Sequence, residues 1–320
     1  PGAVEHEAIR RETLREAGAR AAMIPLVVPV SIELGSALAA KLLDGRGGGV
    51  LVEDEIPSAR DELFLALGVS VPAVRARESA ALAPWGYAIS LHEIPVAKLE
   101  LQDADALTDA ELGGVVARRL AREVRRRAAD FVGLQEVQSM LDHLERASPA
   151  LVRNVVPKPV PLALLTDVLR RLVREGVSIR TLREVLEALA LHAPGEKDPA
   201  ALAESVRASL RRHITHAHAQ PDGLAVHLVD PMIEDAIRDA IQRTGSGASL
   251  ALAPSVARDV LDSVRRASAA AEAPLVLLTQ RDVRRFLRGL LEVELPDVVV
   301  LAHQDVDPDV SVRPLGRLSL

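Results

Sequence analysis

From Gly223 to Leu301 short apolar runs and helical stripes take turns. Residues 224–229, 249–252, 274–278 and 298–301 have the length and the branched apolar content of strands. Between them Ile233, Ala236, Ile237 and Ile241, then Val256, Val260, Leu261 and Val264, then Val283, Phe286, Leu287 and Leu290 fall at helical spacing. Strands joined through helices run side by side in the same direction, because the helix carries the chain back across the sheet. The β-α-β-α-β-α-β order therefore predicts an α/β unit with a largely parallel sheet over residues 221–320.

The section before it, residues 131–220, reads as helical. Leu134, Val137, Met140, Leu141 and Leu144 share one face, and Pro149 stops the run. Leu162, Leu165, Val168, Leu169, Leu172 and Val173 repeat the pattern up to Gly176. Leu182, Val185, Leu186 and Leu189 follow, with Ser178 or Thr181 as cap and Glu184 three residues past Thr181. Asp198 and Pro199 open another helix, whose stripe is Leu202, Val206, Leu210 and Ile214. Short loops between such helices predict a compact bundle.

Residues 23–130 read as mixed α/β. Residues 24–28, 30–34, 69–75 and 87–91 look like strand material. Gly45-Arg46-Gly47-Gly48-Gly49 is a turn before Val50, and Ser58 with Asp61 has capping-box spacing for a helix that Gly68 closes. Residues 1–22, dense in Glu and Arg, read as a linker or tether helix. With 48% apolar but only 2% aromatic residues, the cores are built from Leu, Val, Ile and Ala. The basic residues are nearly all Arg, the lysines being Lys41, Lys98, Lys158 and Lys197. The net charge of −6 argues against a nucleic-acid surface. Without cysteine there are no disulfides, thiolate nucleophiles or Cys-based metal sites. No apolar run approaches the roughly 18 residues of a membrane span, since Pro25 and Pro29 break the longest. A chain that opens on Pro1 is expected to be part of a longer protein, and a membrane-embedded part is expected upstream.

The candidate chemical sites weaken on inspection. The Gly45–Gly49 run lacks the Gly-Lys-Ser/Thr end of a phosphate loop. Gly245-Ser246-Gly247 lacks nucleophile-elbow spacing and is read as a helix end. Asp305, Asp307 and Asp309 alternate like calcium ligands, but Val310 and Gly316 stand where Gly and Glu are needed, so a solvated turn is expected. His213, His216 and His218 cluster at a helix end with no Cys or carboxylate nearby in sequence to complete a zinc set. Glu53-Asp54-Glu55 reads as an exposed acidic edge. No catalytic, cofactor-binding or metal-ligating residue is assigned.

The order of several strings carries a family resemblance. Gly133-Leu134-Gln135-Glu136-Val137-Gln138 is followed by Met140-Leu141-Asp142, then by Glu175-Gly176-Val177-Ser178-Ile179-Arg180-Thr181-Leu182-Arg183. Ala193-Pro194-Gly195-Glu196-Lys197-Asp198 and Asp282-Val283-Arg284-Arg285-Phe286-Leu287-Arg288 come next, with Leu295-Pro296-Asp297 behind. In this order and spacing the chain resembles the cytosolic domain of the type III secretion export-gate family, in its injectisome branch. The first section resembles it more loosely, through Ile32-Glu33-Leu34-Gly35 and Gly86-Tyr87. There the resemblance implies an inserted subdomain of several dozen residues, which the interval of about 101–115 is too short to hold; Thr108 with Glu111 instead suggests a helix start.

The resemblance implies a binding platform rather than an enzyme, without cofactor. It implies a homo-oligomeric ring, a nonamer, under the export channel on the cytoplasmic side of a bacterial inner membrane. The implied partners are chaperone–substrate complexes, a gatekeeper protein and other export-apparatus and ATPase-complex components, with no nucleic acid and with the membrane met only through a part outside this sequence. Arg180, Arg183, Glu184, Lys197 and Asp198 are candidate ring contacts, being charged and at helix starts. Trp85, Arg118 and Arg119 are the candidate client-binding surface. The alternatives are a soluble α/β nucleotide-binding enzyme and a monomeric helical adaptor.

Overall fold

The computed structural model describes residues 27–43, 49–244, 247–271 and 274–319. The 1–22 tether, most of the Gly45–Gly49 turn, and Gly245 with Ser246 lie outside them. The chain divides into two compact units. The first takes in residues 72–123 and those up to 59; the second takes in residues 60–71 and those from 124 onward, so it holds both the helical and the final α/β sections.

The first unit is built on a four-stranded sheet in the order β2-β1-β3-β4, from β1 (Val30–Leu34), β2 (Val74–Glu78), β3 (Gly86–Leu91) and β4 (Ile94–Glu100). β1 pairs parallel with β2 and antiparallel with β3. Val30, Ile32 and Leu34 point inward and are fully buried, as the alternation requires. His92 and Glu93, both at positive φ, form the two-residue link from β3 to β4, whose twist suits a tight hairpin. Helix α1 (Ser36–Leu42) follows β1. Residues 51–55 are not extended: they form a π-helical turn that runs straight into helix α2 (Ile56–Leu67). Ser58 therefore lies inside a helix rather than capping one. After β4 the chain makes one 3-10 turn (Ala104–Ala106) and enters helix α3 (Asp109–Arg126). The Thr108 N–H donates to Glu111 Oε2 at 2.8 Å and the Glu111 N–H to Thr108 Oγ1 at 3.3 Å, the reciprocal cap expected there.

In the second unit the helices are α4 (Leu134–Ala147), α5 (Pro149–Val155), α6 (Leu162–Arg174), α7 (Leu182–His192), α8 (Pro199–Ser209) and α9 (Arg211–His218). The stripe from Leu202 to Ile214 is thus shared by two helices that break at Leu210. Asp198 caps α8 by accepting from the Ala200 N–H at 3.0 Å, with Pro199 in the first turn. Thr181 precedes α7 without making the expected cap; its Oγ1 is buried with no hydrogen-bond partner.

The final section holds a parallel four-stranded sheet, order β10-β5-β8-β9, from β5 (Leu224–Val229), β8 (Val276–Thr279), β9 (Val299–Ala302) and β10 (Val312–Leu318). Helices α10 (Pro231–Asp239), α11 (Pro254–Ala270) and α12 (Arg281–Leu291) cross between them. Ile233, Ile237, Val260, Val264, Leu277, Val283, Leu287 and Leu318 share one core. Two expectations are corrected. Residues 249–252 do not join the parallel sheet: β6 (Ile241–Thr244) and β7 (Gly247–Leu250) pair with each other in an antiparallel hairpin, so Ile241 is strand and not helix. The fourth partner in the sheet is β10, which the sequence pattern hid behind Pro314 and Gly316, where the register shifts.

Gly68 ends α2 at φ +77°, with its N–H on the Phe64 carbonyl at 2.8 Å. A Cβ there would stand 2.8 Å from both the Cγ and the N of Arg180. Gly68→Ala therefore meets a positive φ and backbone crowding together. It is expected to destabilise by about 1–3 kcal/mol, measured by urea unfolding.

Candidate functional site

At the centre of the second unit five charged side chains from four elements meet. Arg284, on α12, is fully buried. It lies on the stripe of Val283, Leu287 and Leu291, so the helix that buries those residues carries its guanidinium inside as well. There it donates Nε to Glu204 Oε2 at 2.7 Å and Nη2 to Glu175 Oε1 at 3.1 Å, with ion pairs also from Nη2 to Glu204 Oε1 and from Nη1 to Glu175 Oε2. Nη1 also reaches the Val300 carbonyl at 3.3 Å. Glu175 follows the last turn of α6 and is held there by Gly176 at φ +72°. Glu204 lies on α8, one turn before Arg207. Arg207 is itself 3% exposed; it bonds Asp305 Oδ2 at 2.8 Å and Glu175 Oε2 at 3.2 Å.

Asp305 is therefore no solvated turn residue. It is 2% exposed, its carboxylate also accepts the Ala302 N–H at 3.0 Å, and its carbonyl accepts Thr215 Oγ1 at 3.2 Å. The network is charge-assisted throughout, and each guanidinium grips two carboxylates. Burial alone would raise the Glu175 carboxyl. Arg284 and Arg207 more than reverse that and hold it at about 2. Burial likewise works against the Arg284 charge, and Glu175 with Glu204 overcomes it and raises the pKa above its ordinary value.

Beside this network opens a cleft of about 750 Å³, walled by the α7 end, α8, α12 and the β6–β7 hairpin. A smaller cavity of about 260 Å³ shares Glu204, Ala248, Arg285 and Phe286 with it. Thus the buried charges hold α8 and α12, two of the walls of this opening.

The candidate ring residues fall on this unit. Arg180 is exposed and donates to the Leu65 carbonyl at 2.8 Å. Arg183 is exposed and pairs with Glu187 at 3.0 Å, one turn along α7. Glu184 turns to His213 Nε2, 3.1 Å away, instead of closing a cap on Thr181. Lys197 donates Nζ to the Ala193 carbonyl at 2.6 Å. Asp198 is half-buried and pairs with Arg285 at 3.2 Å; burial raises its carboxyl, but the Ala200 N–H and Arg285 bring it below the usual range. In the first unit Trp85 lies under Lys41 Nζ, 5.8 Å from the ring centre. Arg118 is exposed on α3. Arg119 is not a free surface charge: it pairs at 2.8 Å with Glu123, a residue 3% exposed, and its Nε is buried without a hydrogen-bond partner. His218 is held below its ordinary pKa by burial and by Arg207. Among the described residues no group of three His, Cys, Asp or Glu is arranged to hold a metal ion.

Removing Arg284 strands two carboxylates inside the protein. Arg284→Met is expected to cost roughly 3–5 kcal/mol, read from denaturant unfolding, and adding Glu175→Gln with Glu204→Gln should recover part of it. Because Glu175 is held at about 2 in the fold against an ordinary 4.5, its contribution is complete above pH 4.5 and is lost as pH falls from there towards 2. That loss should amount to roughly 3 kcal/mol and be absent from Glu175→Gln. Equal acid sensitivity in the variant and the parent would disprove it.

Residues 104–311 match the FHIPEP family. The Low calcium response locus protein D of Yersinia pestis is 30% identical over 354 aligned positions, which take in 96% of this chain and 49% of that protein. The chain spans about half the length of the curated relatives it matches. The Chlamydia pneumoniae CdsV protein superposes with a TM-score of 0.82 at 32% identity, covering 93% of this chain and all of that one. CdsV has also been solved in complex with CdsO, at 33% identity. The nonameric SctV-C of EPEC shares the fold, with a TM-score of 0.78 at 24% identity, over 92% of this chain and 99% of that one. Among the described residues no helix is long and apolar enough to cross a membrane. The chain belongs to the FHIPEP family, the export-gate family of type III secretion, on its injectisome side.

Proposed function

We propose that this chain is a ring-forming docking platform of the export gate, placed on the cytoplasmic side of a bacterial inner membrane by other parts of a longer protein. The observation that carries this reading is the likeness to CdsV along nearly the whole chain. The nonameric assembly of SctV-C supports a nine-membered ring, and the complex of CdsV with CdsO supports engagement of further export components. On this reading the platform receives chaperone–substrate complexes and a gatekeeper protein, and works by binding rather than catalysis. The charges at the centre of the second unit agree, since Arg284 and Arg207 are committed to holding the section together. Ring contacts are assigned to the exposed set of Arg180, Arg183, Glu184 and Lys197; Asp198 contributes by fixing the α8 start. For clients, the direct passage from β4 into α3 leaves a surface around Trp85 and Arg118, while Arg119 serves to neutralise Glu123.

Light scattering across a concentration series tests the ring. Weak self-association is expected in isolation, since a membrane part would raise the local concentration. Arg183→Glu combined with Glu184→Arg should abolish it while changing stability by less than about 1 kcal/mol, as exposed pairs contribute little. Unchanged association would place the interface elsewhere. For clients, Arg118→Glu should weaken capture of a chaperone–substrate complex while leaving the fold intact. Arg119→Glu should instead destabilise the first unit, because it sets a second acid beside buried Glu123; thermal unfolding of the two variants separates the effects.

A further inference from the structure

The 750 Å³ cleft of the second unit has a charge balance of its own. Its acidic lining residues are already engaged. Glu204 is spent on Arg284, Asp282 on Arg238 at 2.6 Å, and Glu196 accepts the N–H groups of Lys197 and Asp198 at 2.7 and 2.8 Å. The arginines are less committed. Arg281 donates to a neutral partner, the Ser205 hydroxyl, at 3.0 Å. Arg285 spends Nη1 on Asp198 and lies over the Phe286 ring, 4.7 Å from its centre. Arg243 stands exposed on the hairpin that forms another wall. At the rim Leu191 is 75% exposed, an apolar side chain with nothing over it.

We propose that this cleft docks a short acidic segment of a partner protein, one that sets carboxylates beside an apolar side chain. Arg281 and Arg243 would take the carboxylates from two different elements, α12 and the hairpin, since a guanidinium offers a planar fork matched to a carboxylate. Leu191 and Phe286 would receive the apolar residue. The Arg284 network holds α8 and α12 in place, so these two walls are set before the segment arrives and their share of the ordering cost is small. Docking here draws on residues of the second unit alone and needs no ring, so it stands whether or not the chain assembles.

The test is fluorescence anisotropy on the dilute chain with a labelled peptide of alternating Asp and Leu. Its Asn–Leu counterpart and a single-stranded oligonucleotide serve as comparison probes. The Asp–Leu peptide should bind about tenfold more tightly than the Asn–Leu peptide, with a difference that shrinks as salt rises. Arg281→Glu and Arg243→Glu should each weaken it about tenfold, while Arg258→Glu, on exposed α11 surface outside the cleft, changes nothing. Far-ultraviolet circular dichroism checks each fold; if one variant fails to fold, the other carries the result. No binding of the acidic peptide, equal binding of the neutral one, or insensitivity to both arginine changes would overturn the proposal. So would an oligonucleotide that binds through these arginines where the peptide does not.

Discussion

The second unit is organised around a cation that has no access to water. Arg284 is fully buried, and a bare guanidinium there would cost far more than any single apolar contact contributes. Glu204 on α8 and Glu175 just past the end of α6 make its position possible, and Arg207 with Asp305 extends the same arrangement to the turn after β9. Apolar packing is non-directional and tolerates sliding. Paired forks with fixed donors do not, so the network sets the register of α6, α8 and α12 that Leu and Val packing would leave loose.

This division of labour suits the docking role proposed above. The interior charges hold helices, while the exposed charges of α7, the α7–α8 loop and α3 stay in water, where each pair contributes little to stability. Such positions can change with the partner at small cost to the fold. The cleft lies between the two regimes: α8 and α12 are fixed from behind by buried ion pairs, and the lining carries arginine donors still to spend.

Helices and strands with clean stripes were legible in the sequence. Val283, Leu287 and Leu290 marked α12, Asp198-Pro199 marked the start of α8, and Thr108 with Glu111 marked that of α3. The buried network was not. Arg284 shares the segment Arg281–Arg288 with four other charged residues, and its partners lie 80 and 109 residues away. One signal was present: Arg284 falls on the apolar face of its own helix, where a charge demands a partner. Asp305 misled for the opposite reason, because alternating aspartates in a turn resemble solvent-facing residues whichever way the first one points. Residues 241–250 defeated periodicity because a strand of four residues looks like the last turn of a helix. β10 escaped because Pro314 and Gly316 break the alternation, as edge strands tolerate and central ones do not. Among the site residues, Arg183, Glu184, Lys197 and Arg118 are exposed as their polarity suggested, whereas the burial of the Glu123 side chain that engages Arg119 depends on tertiary packing no local pattern records.

The parallel placement of β10 beside β5 has a temporal side. β5 is complete at Val229, but its neighbour on one flank begins only at Val312. At a translation rate of about 5–20 residues per second, that flank stays open for roughly 4 to 18 seconds on the ribosome. During that interval a buried-type strand, with Leu224 and Val226 destined for the interior, presents unpaired backbone groups to its surroundings. The nascent chain is therefore most vulnerable to mispairing in a window set by synthesis, and a holding chaperone would act there with most effect.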